Sequence, residues 1–150
     1  MPVSVIIVNW NSGELLAKCL HHLNCQTILP RRVFVVDNAS TDGSNKIEDT
    51  SPGSLKIIRM NYNVGFAAGN NQALSECTTQ FVALLNADAF PEPNWIEQML
   101  IAATEYNNSA AFGSQLICHG NDNLLDGIGD SYHFSGLVWR SGYGMRQRPQ

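Results

Sequence analysis

The sequence predicts an α/β domain built on a mostly parallel sheet with helices on both faces. Apolar, β-branched segments alternate along the chain with segments of helical periodicity. Three of the apolar segments end in amide or carboxylate side chains, which suggests one polar crevice at the carboxyl ends of the strands. A chain of 150 residues is long enough to bury the core of one such domain.

The first predicted unit is a strand followed by a helix. Val3 to Val8 is a continuous apolar run, which is typical of a strand covered on both faces. Asn11 and Ser12 are expected to cap the next helix. Its apolar face repeats at helical spacing and comprises Leu15, Leu16, Cys19, Leu20 and Leu23.

Two further strands are predicted before the middle of the chain. Pro30 precedes the second strand, Val33 to Val36, and Leu55 to Met60 forms the third. Between them we expect a short helix around Asn45 to Asp49 and a turn at Ser51-Pro52-Gly53.

The alternation continues to about residue 117. We expect a helix over Ala67 to Glu76, a fourth strand over Phe81 to Leu85 and a fifth over Ala110 to Ile117. The helix between the last two has an apolar stripe of Trp95, Ile96, Met99, Leu100 and Ala103.

The character of the chain changes near residue 110, where helical periodicity ends and glycines accumulate. We therefore divide it into a core over residues 1–110 and a second region over 111–150. The second region is expected to consist of loops, short strands or a lid. Its apolar surface around residues 110–140 leaves self-association open.

Charge and cysteine content narrow the functional classes. A net charge of −4 argues against nucleic acid as the main partner. The second half of the chain, which contains Asp88, carries eight Asp and Glu against three Lys and Arg. The four cysteines form no CxxC pair and no signal-peptide pattern is visible, so a cytoplasmic location is expected. No apolar run is long enough for a transmembrane segment.

The run Leu84-Leu85-Asn86-Ala87-Asp88 is the most informative motif. It ends a buried strand with two oxygen ligands two residues apart, which suits Mg²⁺ or Mn²⁺ bridging two phosphates. Asn86 is a neutral ligand, so the affinity should rest mainly on Asp88. The alternative is a polar strand end at which Asp88 caps the turn over Pro91 to Trp95.

The loop from Asp37 to Ser44 is dense in turn and capping residues. A carboxylate at the end of the second strand could accept a hydrogen bond from a ribose hydroxyl or a pyrimidine N–H, and we assign this role to Asp37. Asp42 or Ser44 would cap the following helix, and we expect Asp42 to be that cap.

The loop from Asn63 to Asn71 carries Gly65 and Gly69 at the start of a predicted helix. Glycines there permit close backbone approach, and free helix N–H groups could bind a phosphate. The alternative is tight packing of the helix on the sheet. The first strand is followed by neither a GxGxxG fingerprint nor a phosphate-binding P-loop.

Taken together, four segments resemble the family 2 glycosyltransferases, most of all the bacterial rhamnosyltransferase-like enzymes. The resemblance covers about residues 3–100 strongly and the remainder weakly. Its motifs stand in the family's order and spacing: Val3 to Asn11, Val35 to Ser44, Asn61 to Asn71 and Leu84 to Asp88.

The resemblance implies a GT-A fold with a Rossmann-like sheet, a nucleotide-diphospho-sugar as sugar donor, and Mg²⁺ or Mn²⁺. It places Asn9 and Asn11 in the nucleotide pocket and Asp37 at the base, with Asn38 beside it. The positions expected near the ribose, diphosphate or sugar are Asn63, Gly65 and Asn70. Asn86 and Asp88 match the family's Asp-x-Asp metal motif, with Asn in place of the first Asp.

The family's catalytic base is harder to place. Family members carry it well beyond the metal motif, usually in a Glu-Asp pair, whereas the only such pair here is Glu48-Asp49. Asp126 and Asp130 are candidate substitutes. We therefore expect the base beyond Gln150, and expect the chain to be an N-terminal fragment that lacks much of the acceptor half.

The resulting hypothesis is an inverting transfer from a dTDP- or UDP-sugar, rhamnose being one candidate. The acceptor would be a saccharide or lipid-linked precursor of a cell-surface polysaccharide, which leaves peripheral association with the inner face of the membrane open. The first alternative is a domain that binds nucleotide-sugar without turnover. A nucleotidyltransferase is disfavoured because Asn9 to Glu14 contains no Lys or Arg.

Overall fold

The structure is a computed structural model in which residues 3–47, 54–121 and 123–147 are described. The chain forms two compact units, Met1–Ile101 and Ala102–Gln150. The first contains the main sheet and the candidate site. The second begins with the end of a helix and continues with short strands and turns.

The sheet of the first unit has four strands, all parallel, which confirms the predicted parallel architecture. Its spatial order is β3-β2-β1-β4. The first four of the five predicted strands are found within one residue of their expected ends: β1 Val3–Asn9, β2 Arg32–Asp37, β3 Ser54–Arg59 and β4 Phe81–Asn86.

Helices cover both faces of this sheet. The helices are α1 Leu15–Asn24, α2 Phe66–Leu74 and α3 Trp95–Glu105. Leu16 and Leu23 of α1 and Ile96 of α3 share one core cluster, while Ala73 of α2 belongs to the other.

The central strand β1 serves both clusters because successive side chains of a strand point to opposite faces. Val5 and Ile7 pack on the side of α1 and α3, and Ile6 packs on the side of α2. All three are fully buried. A strand that is apolar on both faces therefore reads as one continuous apolar run, as the sequence suggested.

The strand order creates a topological switch point beside β1. The chain leaves β1 towards β2 and β3, then returns to add β4 on the opposite side. Ligands of open α/β sheets bind at such points, beyond the carboxyl ends of the strands. The pairing places Asn9 next to Asp37 and Val8 next to Asn86, so the polar strand ends converge there.

Two local expectations about caps and short helices were wrong. The residue before α1 is Glu14, and no side chain caps the helix. The hydroxyl of Ser12 donates to the Asn9 side chain instead, which removes it from a capping role. The chain is not helical from Asn45 to residue 47, while Glu48, Asp49 and the expected turn at Ser51-Pro52-Gly53 lie outside the described residues.

The second unit contains two small antiparallel pairs. The predicted fifth strand is reduced to β5 Leu116–Ile117, because the chain around Gly113 is irregular and exposed. Here β5 pairs with β6 Leu125–Gly127, and β7 Asp130–Tyr132 pairs with β8 Val138–Arg140. In the described part of the chain, no helix is long and apolar enough to cross a membrane.

Candidate functional site

A crevice of about 520 Å³ opens at the carboxyl ends of β1 and β4. Its wall includes six of the residues that the sequence singled out: Asn11, Asn38, Asn63, Gly65, Asn86 and Asp88. Four other wall residues were not predicted as site residues, and these are Val8, Trp10, Ser12 and Phe66. Aromatic side chains beside polar motifs were the available signal for two of these, Trp10 and Phe66.

Asn9 lies beneath the crevice rather than on its wall. Its side chain is fully buried. Its amide nitrogen lies 3.0 Å from Asp37 Oδ1, 3.1 Å from Ser40 Oγ and 3.0 Å from Ser44 Oγ. These hydrogen bonds join the ends of β1 and β2, and the predicted contact of Asn9 with the nucleotide stays a prediction.

Asp37 is the second member of this buried network, with 2% of its surface exposed. One carboxylate oxygen accepts from Asn9, and the other accepts from Asn45 Nδ2 over 3.4 Å. Like Asn9, Asp37 is not a wall residue of the crevice. Its predicted contact with the base stays a prediction.

Asn11 ties the loop after β1 to the loop after β2. Its backbone N–H donates to Ser40 Oγ over 3.0 Å, and its side-chain oxygen accepts from the Thr41 N–H over 2.8 Å. Its φ of 51° is in the left-handed region, which Asn tolerates better than most residues. Ser40 is a shared acceptor for Asn9 and Asn11, a role that loop composition alone could not reveal.

Asp42 holds the same two loops together at the surface. Its carboxylate accepts from the Gly13 N–H over 2.7 Å and from the N–H and hydroxyl of Ser44 over 3.0 and 2.6 Å. The Ser44 hydroxyl is the main cause that lowers the pKa of Asp42 below its usual value. The expected helix cap was wrong, because these bonds form a turn and a tie between loops.

Asn38 and Asn70 are buried amides whose side-chain nitrogen is hydrogen-bonded and whose side-chain oxygen is not. Asn38 Nδ2 donates to the Gly65 carbonyl over 3.2 Å, and Asn70 Nδ2 donates to the Phe66 carbonyl over 3.0 Å. Neither side-chain oxygen has a hydrogen-bond partner among the described residues. Asn38 lies on the crevice wall, whereas Asn70 does not.

The two glycines at the start of α2 have different surroundings, one at an open helix N-terminus and the other in tight packing of the helix on the sheet. Gly65 precedes the helix with φ of 84°, its N–H donates to Asn63 Oδ1, and no side chain caps the helix. A Cβ on Gly69, by contrast, would lie 3.1 Å from Val8 Cγ1. Gly65 therefore leaves the helix N-terminus accessible at the crevice, and Gly69 allows close packing of α2 on β1.

Asp88 is exposed and is the only charged side chain among the wall residues. Its carboxylate has no hydrogen bond or ion pair with any other described residue, so the alternative role as a cap of the next turn has no support. Below it, the Cys19 thiol lies 3.6 Å from the Asn86 carbonyl. Burial, together with the negative charge of Asp88, raises the pKa of Cys19 to about 12.

The loop after Asp88 is attached to the end of α1 by Gln26, a residue that the sequence did not single out. Gln26 is 6% exposed. Its amide nitrogen donates to the Glu92 carbonyl over 2.7 Å, and its oxygen accepts from the Ile96 N–H over 3.1 Å. Gln26 thus satisfies an N–H group at the start of α3 from outside that helix.

The two candidate bases, Asp126 and Asp130, lie in the second unit. Asp126 forms an ion pair with Arg140 over 2.7 Å in the second unit, and Asp130 stands on the neighbouring strand β7. No group of three or more His, Cys, Asp and Glu side chains in this part of the chain could hold a metal ion by itself. A cation at Asp88 would therefore draw its other ligands from amide or carbonyl oxygens such as that of Asn86, from water or from a bound molecule.

The parallel sheet and its polar crevice define an α/β domain with a binding site at a topological switch point. The chain belongs to glycosyl transferase family 2, whose family model matches residues 4–142. The predicted family is thereby confirmed, and the rhamnosyltransferase subgroup is not resolved at this level.

Curated proteins with similar sequences are named as glycosyltransferases. The glycosyltransferase AglE of Haloferax volcanii is 33% identical over 101 residues, which cover 64% of this chain and 33% of the relative. WfgD of Escherichia coli, a UDP-Glc:alpha-D-GlcNAc-diphosphoundecaprenol beta-1,3-glucosyltransferase, is 25% identical over 79% of this chain and 47% of its own. The chain spans less than half the length of these relatives.

Solved structures share the fold. Residues 1–349 of TarS from S. aureus, crystallised with UDP-GlcNAc, superimpose with a TM-score of 0.65 at 22% identity, covering 78% of this chain and 38% of that one. The mannosyltransferase PcManGT from Pyrobaculum calidifontis, in complex with GDP-Man and Mn²⁺, gives a TM-score of 0.60 at 28% identity, covering 78% and 35%. These neighbours confirm the predicted GT-A architecture.

Proposed function

We propose that the crevice binds a nucleotide-diphospho-sugar and that this chain is the part of a glycosyltransferase that holds the sugar donor. The observation that carries the proposal is Asp88, an unpaired carboxylate at the switch point of the sheet. No Lys or Arg belongs to the crevice wall. A diphosphate there would need a cation to offset its charge, and Asp88 is suited to hold one.

The residues at this point fit Mg²⁺ or Mn²⁺. Both ions prefer oxygen ligands, and Mg²⁺ is commonly held by one or two carboxylates together with substrate phosphates. Asp88 and Asn86 offer such oxygens on the same wall. A bound ion would neutralise charge developing on the diphosphate leaving group. PcManGT, a structural neighbour, was solved with Mn²⁺ and GDP-Man, which supports this assignment.

The other predicted residues divide into two layers in the proposed site. Asn11, Asn38, Asn63 and Gly65 stand on the wall and would contact the nucleotide-sugar directly. Asn9 and Asp37 support this wall from beneath through their mutual hydrogen bond. Asn70 would act from α2, close to the ribose, diphosphate or sugar.

For the nucleotide, we propose a dTDP- or UDP-linked sugar, with a rhamnosyl donor as the finer assignment. The name of the relative WfgD includes UDP-Glc, and this similarity supports a uridine nucleotide as donor. The same name includes GlcNAc-diphosphoundecaprenol, which supports a lipid-linked acceptor. The Asn86-Ala87-Asp88 form of the metal motif supports the rhamnosyltransferase-like assignment. The acceptor would be a saccharide or lipid-linked precursor of a surface glycan, used at the cytoplasmic face of a membrane.

The proposed reaction is an inverting displacement. The acceptor hydroxyl would attack the anomeric carbon on the side opposite the diphosphate, while a carboxylate takes its proton. In the described residues, Asp126 is engaged by Arg140, so we assign it no role as that base. The second candidate function, in which the chain by itself binds nucleotide-sugar without turnover, would use the same crevice residues.

Calorimetric titration with UDP, dTDP and GDP, each with and without Mn²⁺, tests the proposal. We expect at least one nucleotide to bind, and its affinity to rise when Mn²⁺ is present, because the ion links Asp88 to the phosphates. The absence of binding by all three under both conditions would contradict the proposed site. Donor hydrolysis or transfer to an acceptor, measured on the same preparation, would separate an enzyme from a binding domain.

A further inference from the structure

The segment that follows Asp88 contains two prolines, Pro91 and Pro93, which have carbonyl groups but no backbone N–H. Carbonyl groups outside regular strands and helices take their donors from water or from another part of the chain. Here the donors come from the C-terminal end of α1. The contacts bear on the proposed site, because this segment continues directly from the Asp88 carboxylate on the crevice wall.

Three successive carbonyl groups of the segment are held in this way. The Pro91 carbonyl oxygen lies 3.2 Å from His22 Nδ1, and because a carbonyl can only accept, this ring nitrogen is the donor. The Pro93 carbonyl accepts from the Thr27 N–H over 2.7 Å. The carbonyl between them, that of Glu92, accepts from a buried side chain of α1's end, described next.

Gln26 provides that third contact, and every polar atom of its amide is used. Its Nε2 donates to the Glu92 carbonyl over 2.7 Å and to the His22 carbonyl over 3.2 Å. Its Oε1 accepts from the Ile96 N–H over 3.1 Å. Rotating the amide by half a turn would set its oxygen against two carbonyl oxygens, so only the present orientation satisfies these groups. Gln26 therefore joins the end of α1, the segment after Asp88 and the first turn of α3.

The Asp88 side chain does not fix its own position. It is exposed, and its carboxylate has no hydrogen bond or ion pair with another described residue. The chain before it is held by the pairing of β4 with β1, which reaches Asn86. The chain after it is held by α1 through the three carbonyl groups. A ligand whose backbone is held on both sides loses less conformational freedom when it binds.

We infer that Gln26 is a positioning residue for the proposed metal site, because it holds the segment after Asp88 in the conformation that presents the carboxylate to the cation. The inference rests on the proposed function, since it assumes a cation at Asp88. Without the Gln26 amide the segment samples further conformations. The apparent affinity for the cation is then reduced by the fraction of time spent in the competent one.

Gln26→Met tests the inference, because methionine has nearly the same length and lacks the amide. Nucleotide affinity is measured by calorimetry with and without Mn²⁺, using whichever of UDP, dTDP and GDP binds the unsubstituted chain most tightly. We expect the gain in affinity on adding Mn²⁺ to fall about tenfold, the lower end for residues that orient metal ligands. The affinity without metal should stay the same, because it reports on the remainder of the crevice.

Thr79→Val is the matched control for a general loss of stability. The Thr79 hydroxyl oxygen also has two polar neighbours, Ser4 Oγ at 2.8 Å and the Phe81 carbonyl oxygen at 2.9 Å. These lie at the start of β1 and β4, at the opposite end of the strands from the crevice. Thr79→Val should therefore keep the full Mn²⁺ gain. Gln26→Asn serves if methionine prevents folding, because its shorter side chain cannot keep all its contacts at their present lengths.

The outcomes separate the inference from the proposed function. A folded Gln26 variant that keeps the full Mn²⁺ gain would overturn the inference and leave the proposed function intact. An equal loss of the gain in Thr79→Val would also overturn it, because the effect would then follow stability alone. If the unsubstituted chain binds no nucleotide, or binds one without any Mn²⁺ gain, the proposed metal site and the inference both fail.

Discussion

The amide of Asn9 donates a hydrogen bond of 3.0 Å to the carboxylate of Asp37, directly across the pairing of β1 with β2. Both residues end their strands, and both are almost completely buried. A buried carboxylate is strongly destabilising unless it is hydrogen-bonded. The hydrogen-bonded pair therefore stabilises the polar edge of the sheet that lies beneath the crevice wall.

The first prediction concerns the stability that Asn9 provides. Asn9→Leu removes the hydrogen bonds to Asp37 and to two serine hydroxyls and leaves a buried carboxylate with fewer partners. We expect the free energy of unfolding to fall by about 2–4 kcal/mol, measured by urea titration. Asn61→Leu, at an exposed position, should change it by less than about 0.5 kcal/mol. Equal effects would show that Asn9 does not support the wall.

The second prediction concerns the effect of Mn²⁺ on nucleotide affinity, which should depend on Asp88 and not on the nearby Glu92. Asp88→Ala should abolish the gain in nucleotide affinity on adding Mn²⁺, because Asp88 is the only charged wall residue. Affinity without metal should stay the same or rise, because the substitution removes a negative charge that repels the diphosphate. Glu92→Gln changes an exposed carboxylate outside the wall and should keep the full metal effect. A metal effect that survives in Asp88→Ala would place the cation elsewhere.

The sequence predicted the first unit well because each local signal agreed with the overall fold. The run Val3 to Val8 is typical of a buried strand, and the polar ends of β1, β2 and β4 meet as parallel pairing requires. The sequence could not predict which of the polar residues lie on the crevice wall and which are buried beneath it. Asn9 and Asn38 are the same residue type at neighbouring strand ends, yet only the second lies on the wall, and that depends on tertiary packing.

The strands of the second region, residues 111–150, could not be predicted for a different reason. Its strands have two or three residues, too few for a period of two to stand out. Glycines with positive φ such as Gly129 and Gly136 set its turns, and the sequence does not specify which strands those turns connect.

The third prediction tests the close contact between α2 and β1. A Cβ at Gly69 would lie 3.1 and 3.2 Å from the two methyl groups of Val8. Alanine gains about 1 kcal/mol of helix propensity, but forced contacts in a packed region typically cost about 1–3 kcal/mol. We expect Gly69→Ala to lower the melting temperature. Gly113→Ala, where a Cβ meets no atom within 4 Å, should leave it nearly unchanged. A higher melting temperature for Gly69→Ala would show that the Val8 side chain can shift to make room for the added methyl group at little cost.

The fourth prediction concerns acid sensitivity. The pKa of Asp42 is lowered in the folded chain, mainly by the Ser44 hydroxyl, from an ordinary value of 3.8. A lowered pKa stabilises the fold above the unfolded value, and this contribution is lost as the pH falls through the folded value. Between about pH 5 and pH 2, stability should therefore fall less steeply in Asp42→Asn than in the unsubstituted chain. Parallel curves of melting temperature against pH would contradict the role of Asp42.

The fifth prediction concerns thiol reactivity. Burial raises the pKa of Cys19 to about 12, so almost no thiolate forms near pH 8. Cys25 is exposed. Iodoacetamide should label Cys25 in the folded chain and label Cys19 only after unfolding, as peptide mass spectrometry would show. Cys25→Ser should remove the rapidly labelled site, and rapid labelling of Cys19 in native buffer would contradict its burial.

The strand order also has a consequence for how this protein reaches its folded state. Strand β1 can pair with β2 early, but β4 must arrive from far along the chain, as the contact between Ser4 and Thr79, 75 residues apart, illustrates. Closing a long loop delays such pairing. Because the crevice lies between β1 and β4, it exists only after this slow step. A molecule that binds there would recognise only fully folded chains and would raise their stability by an amount that grows with the logarithm of its concentration divided by its dissociation constant.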